Sequence, residues 1–137
     1  MRTFHLFLIK KDKASMYENN EFVLYTTLKN LYTSKTNLNF SYIIYNQICD
    51  PFKKEVIVNY FAKKGYIRKN NIFALLNETE MSLIKINYSH IILKTNNNYS
   101  SMFKILQLIN KNIFIVDFNN NDYFFIKKYN HILEQIK

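Results

Sequence analysis

Thr3 to Ile9 is the stretch that most narrows what this chain can fold into. Phe4, Leu6 and Leu8 alternate with His5, Phe7 and Ile9, so an extended segment here has almost no polar face. Such a strand needs cover on both sides, which places it inside a sheet rather than at an edge. The apolar pattern ends in charge at Lys10-Lys11-Asp12, where a short helix is expected with Asp12 as its N-cap and Ala14, Met16 and Tyr17 in its first turns. A strand that leads into a short surface helix is a common way to present side chains to a partner.

Cover on two sides requires apolar volume, and the composition supplies it: hydrophobic residues make up 48%, with 12 Phe and 11 Tyr among 137 residues. These values argue against a disordered chain and are sufficient for a single domain over residues 1–137. With Gly 1 and Pro 1, turns fall to Asn, Asp and Ser, and the runs Asn96-Asn97-Asn98 and Asn119-Asn120-Asn121 suit them because Asn tolerates the left-handed conformation. The richness in Lys, Asn, Ile and Tyr also fits an AT-rich coding sequence and is discounted as evidence of function.

Along the chain, residues 12 to about 32 read as helix, with Leu24, Leu28 and Leu31 on one face beside Tyr32. Glu18-Asn19-Asn20 interrupts it, since adjacent Asn favour caps and turns. A break there frees Tyr17 to face solvent or a partner; a continuous helix puts it on the core stripe. Residues 33 to 39 form a polar connection and Phe40 to Ile48 a short helix. A helix over 51–64 follows, with Asp50 as N-cap, Pro51 at its first position and Gly65 as its stop. Strands are expected at 72–76, 81–86 and 89–95, the last two as a hairpin. Tyr99, Met102, Phe103, Leu106 and Ile109 then mark the clearest amphipathic helix, capped by Asn98 or Ser100. A terminal hairpin, Ile113 to Phe118 and Tyr123 to Ile126, precedes a last helical turn or frayed end over 129–136. The fold class is α+β: a mixed or antiparallel sheet with covering helices.

No arrangement for catalysis stands out. One Gly excludes the glycine-rich phosphate loops. His5, His90 and His131 are scattered, no Cys/His set has metal spacing, and Asp117 and Asp122 flank a turn that they are suited to cap. The expectation is a non-enzyme with no cofactor and no metal. Cys49 is alone, which fits a buried hydrophobe and a reducing cytoplasm. No apolar run reaches the roughly 18 residues of a membrane span and no signal peptide opens the chain, so the expected location is cytoplasmic with no membrane contact. The net charge of +9, with clusters at Lys53-Lys54 and Lys63-Lys64-Arg68-Lys69, keeps a basic nucleic-acid-binding module as the alternative. Solvated lysine faces explain those clusters equally well.

Three stretches in order carry a family resemblance. LIKKDKASMY, Leu8 to Tyr17, is similar to the LIK-x-x-x-A-x-x-Y opening of the sporulation inhibitor of replication family, SirA. Gln47-Ile48-Cys49-Asp50-Pro51 falls where that family has a short run ending in Pro. IFIVDFNNNDYFFI, Ile113 to Ile126, resembles the family's apolar strand, Asp-Phe-Asn turn and aromatic return strand, again preceded by an amphipathic helix. The resemblance implies a non-enzymatic inhibitor, without cofactor, that binds the N-terminal domain of the replication initiator DnaA and blocks initiation during sporulation. It also implies that the partner is engaged around the first helix, where Ala14 and Tyr17 match the motif. Lys13, where an aromatic is expected, and Ile44, where a polar residue is expected, depart from it. On this reading Tyr17 is a buried anchor of the contact, and Lys11 and Lys13 steer an acidic partner toward it.

Overall fold

The computed structural model describes residues 1–33 and 38–136, with side chains described from Tyr42 onward in the third helix and up to Glu134 in the last. Among the described residues the order is β1 (Arg2–Ile9), α1 (Lys11–Tyr17), α2 (Glu21–Thr33), α3 (Leu38–Ile48), β2 (Cys49–Asp50) and α4 (Lys54–Ala62). There follow β3 (Ile67–Lys69), β4 (Ile72–Leu76), β5 (Met81–Ile86), β6 (Ile91–Thr95), α5 (Phe103–Ile109), β7 (Ile113–Asp117), β8 (Asp122–Phe125), a 3-10 turn (Ile126–Lys128) and α6 (Tyr129–Ile136). The eight strands form one sheet in the order β3-β4-β5-β6-β1-β7-β8, with every pairing antiparallel and β2 paired to the end of β1. The fold is α+β, as the pattern of elements requires.

β1 is interior, and its two apolar faces explain the layering around it. Phe4 and Leu6 point into a core that also takes Ile57 and Phe61 from α4, Phe103 and Leu106 from α5, and Tyr129 from α6. Phe7 and Ile9 point the other way, onto Ala14 of α1, Leu24, Tyr25 and Leu28 of α2, and Ile48. Full burial of side chains of this size contributes about 1.5–3 kcal/mol each, so the strand contributes to two cores at once. Register follows from this two-sided pattern: β6 pairs with residues 2–6 of β1, β7 with residues 5–8, and Leu8 lies opposite both Ile113 and Asp50.

Two buried carboxylates join elements distant in sequence. Asp117, fully buried at the end of β7, accepts the Arg2 Nε–H at 2.9 Å and the backbone N–H groups of Asn119 and Asn120 at 3.1 and 3.2 Å, while Arg2 also donates to Asp122 at 2.7 Å. Burial works to raise its pKa, but the bonds from Asn120 and Arg2 prevail and hold the carboxyl below its ordinary value. Glu80, in the β4–β5 turn, accepts the Ser82 hydroxyl, the Ser100 hydroxyl at 2.9 Å and the Ser101 N–H at 3.2 Å. It therefore ties that turn to the loop leading into α5. Burial again opposes ionisation, and the bonds from Ser82, Ser101 and Ser100 outweigh it, leaving the pKa lowered.

Several expectations meet corrections. α1 begins at Lys11 behind Lys10, with no side-chain cap, so Asp12 lies inside the first turn. The helix expected over 51–64 starts only at Lys54, because Cys49 and Asp50 pair with the end of β1 as a two-residue strand. Ile67–Lys69 is an edge strand where none was expected. Left-handed Asn occurs at Asn70 and Asn121, with φ 55 and 51, and not within 96–98. The break at 18–20 is present, and Ser100, not Asn98, turns the chain into α5: its hydroxyl accepts the Met102 N–H at 3.1 Å and its carbonyl the Phe103 N–H at 3.2 Å. Of the connection expected over 33–39, Thr33 ends α2 and residues 38–39 already belong to α3, while residues 34–37 lie outside the described residues.

Candidate partner-binding surface

β1 sets the position of α1. The Lys10 N–H donates to the Ile48 carbonyl at 2.9 Å, which fixes the start of α1 beside the end of α3, and the Ala14 N–H closes the first turn on the Lys10 carbonyl at 2.7 Å. Ala14 is buried on the second core, and Tyr17, three residues on and so on the same side of the helix, is half-buried against it. Lys13 is also half-buried, while Lys11 is exposed. A small residue at 14 lets the helix lie close to the sheet.

α1 stops because Asn20 turns the chain. Its N–H donates to the Tyr17 carbonyl at 2.9 Å, and its carbonyl accepts the Val23 N–H at 3.1 Å to start α2. Glu18 and Glu21 form ion pairs with Lys127 and Lys128, so the α1–α2 junction is tied to the 3-10 turn near the C-terminus. Around this junction large apolar side chains stand in solvent. Met16, Phe22 and Val23 are 52%, 64% and 52% exposed. On α3, Tyr42 and Ile43 are exposed as well. Exposed apolar side chains on the helices next to a half-buried tyrosine are candidates for contact with a partner.

The sequence singles out Lys13, Ala14 and Tyr17 as candidates but not Met16, Phe22 or Val23. The signal for Phe22 and Val23 was available: they fall off the Leu24–Leu28 stripe of α2, so the helix turns them away from the core. Of the two departures from the family pattern, Ile44 packs against the second core, whereas Lys13 is a half-buried residue of α1. Cys49 is buried, and burial with Asp50 nearby pushes its thiol up to about 12, which keeps it protonated and unreactive.

The structure also brings together residues far apart in the sequence. The His5 ring lies 5.9 Å from that of His90, 4.8 Å from Tyr32 and 5.4 Å from Phe118. Among the described residues its buried Nδ1 has no hydrogen-bond partner. Burial, with His90 adding repulsion, lowers the His5 pKa to about 4, so the ring is neutral at physiological pH. Among the described residues no group of three or more His, Cys, Asp or Glu comes together as a metal site would need. Among them, too, no helix is long and apolar enough to cross a membrane.

One antiparallel sheet with helices packed on both faces makes this an α+β domain, and large apolar side chains stand exposed beside its α1–α2 junction. The chain belongs to the family of the sporulation inhibitor of replication protein SirA, whose model matches residues 2–130. No curated protein matches it.

Proposed function

We propose that this protein inhibits initiation of chromosome replication, in cells committed to sporulation, by binding the N-terminal domain of the initiator DnaA. The observation that carries the reading is the family match over residues 2–130, joined to the exposed apolar side chains that flank Tyr17. Tyr17 supplies the anchor, Met16 and Phe22 supply apolar area around it, and Lys13 steers an acidic surface toward it. Ala14 acts beneath them by seating α1 on the sheet. The action is binding alone, in the cytoplasm, without a cofactor or a chemical step, and the whole chain acts as one domain.

The cellular test is induced expression in a host carrying the cognate DnaA, read as the ratio of origin to terminus DNA. Inhibition of initiation lowers that ratio toward one, and a version lacking the Tyr17 side chain leaves it high. An unchanged ratio on expression of the intact protein contradicts the proposal.

A further inference from the structure

Among the described residues, helices cover the second face of the sheet over only half its width. That core draws its buried residues from α1, α2, β1, β7, β8 and the Ile48-Cys49 corner, with none from β3, β4, β5 or β6. On those four strands the uncovered face alternates with the buried one. Phe73, Ile84 and Leu93 face the first core, so their sequence neighbours Ile72, Ala74, Leu83, Lys85, Ile92 and Lys94 form the bare side.

The make-up of this bare face is unusual for a solvated surface. Ile67, Leu76, Met81 and Leu83 are exposed to 67%, 63%, 48% and 38%. The charged residues interleaved with them are Lys69, Lys85 and Lys94, all exposed. By register, Lys85 lies between Ile72 and Ile92, and Leu83 between Ala74 and Lys94. Between Ile67 and Thr95 the acidic residues are Glu78 and Glu80, both in the β4–β5 turn, and Glu80 is buried. Toward β1 the face runs into a cleft of about 310 Å³ bounded by Thr3, His5, Ile92, Lys94, Tyr32 and Phe118. It therefore ends against a wall, where Tyr32 closes one side.

We propose that the bare face of β3–β6 is a second docking surface, separate from the α1–α2 junction, for an acidic amphipathic helix of a partner protein. Its apolar stripe lies along Leu83, Ile92 and Ile72, and its carboxylates meet Lys69, Lys85 and Lys94. Two other occupants fit less well. Single-stranded nucleic acid binds sheets by stacking bases on rings, and these strands present aliphatic side chains on this face. A second copy of the chain would set lysine against lysine, with a net charge of +9 on each molecule. The inference goes beyond the proposed action on DnaA and does not depend on it.

The test is fluorescence anisotropy of a labelled synthetic helix of Leu and Glu with a single apolar stripe, titrated with the full chain. Controls are the same peptide with its stripe scrambled, a Lys-for-Glu version, and a labelled single-stranded oligonucleotide. The patterned peptide is expected to bind, with affinity reduced at least about tenfold by Leu83→Glu or Lys85→Glu and unaffected by Tyr17→Ala. The Lys-for-Glu peptide should regain affinity toward Lys85→Glu. Leu83 and Lys85 point to solvent, and circular dichroism of both variants checks that the sheet is intact. The proposal is overturned by no binding, by equal binding of the scrambled peptide, or by unchanged affinity in both variants. It is equally overturned if the oligonucleotide alone binds, or if the protein sediments as a dimer that Leu83→Glu converts to monomer.

Discussion

Acidification from about pH 7.5 to about pH 5 should lower the folding stability of this protein by about 2 kcal/mol through His5 alone. The ring is buried among Tyr32, Phe118 and His90, and burial lowers its pKa from 6.5 to about 4. In the unfolded chain the same imidazole takes up a proton near 6.5, so between that value and about 4 the unfolded state holds more protons than the native one. Stability is therefore fully present above 6.5 and is lost as pH falls toward the native value. His90, lowered by burial and by Lys85, adds in the same direction, while Glu80 and Asp117, held below their ordinary 4.5 and 3.8, contribute mainly under more acidic conditions. The assay is urea unfolding at a series of pH values, for the parent and for His5→Phe. The substitution removes the titrating group and the buried Nδ1, so its curve should be much flatter, with stability near pH 7.5 equal or higher. An equal acid loss in both proteins, or a native His5 titrating near its ordinary value by NMR, would refute the reasoning.

Other consequences of the buried polar groups can be measured in the same way. Glu80→Ala leaves the Ser82 and Ser100 hydroxyls and the Ser101 N–H without their common acceptor, and should cost about 3 kcal/mol in urea unfolding. Arg2→Met leaves the fully buried Asp117 carboxylate without its cation and should cost about 2–4 kcal/mol near neutral pH. Because the pKa of Asp117 would rise in that variant, part of the deficit should disappear at acidic pH; a deficit independent of pH would show that the ion pair is not its source.

Much of the fold could be read from β1 outward. An element apolar on both faces has to be interior, and the structure makes it so, with a different set of helices on each side. The terminal hairpin was readable because apolar β7 and β8 flank an Asn turn that reaches positive φ at Asn121, whereas β5 alternates in burial but not in hydrophobicity, with Ser82 buried and Met81 and Leu83 exposed. What escaped had tertiary causes. Asp50-Pro51 has the form of a helix start, yet the end of β1 has hydrogen-bonding groups to satisfy and takes Cys49-Asp50 as a strand. Ile67–Lys69 is short, charged and at the sheet edge, where pairing gives no alternation to see. Tyr17 could be singled out through the motif of α1, and Phe22 and Val23 through their place off the Leu24–Leu28 stripe of α2, whereas the exposure of Met16 on α1 is visible only in the structure. The pairing of His5 with His90 depends on β1 lying beside β6, which spacing in the sequence does not reveal.

Tyr17 is the anchor on which the proposed contact depends, and calorimetric titration of the purified protein with the N-terminal domain of the cognate DnaA tests it directly. Tyr17 also packs on the second core, so each protein's unfolding curve is recorded beside its titration. The intact protein should bind at micromolar concentration or tighter. Tyr17→Ala should remove on the order of 2 kcal/mol, about thirtyfold in Kd, while still unfolding in a single cooperative transition. Absence of binding by the intact protein, or undiminished binding by a folded Tyr17→Ala, would contradict the account.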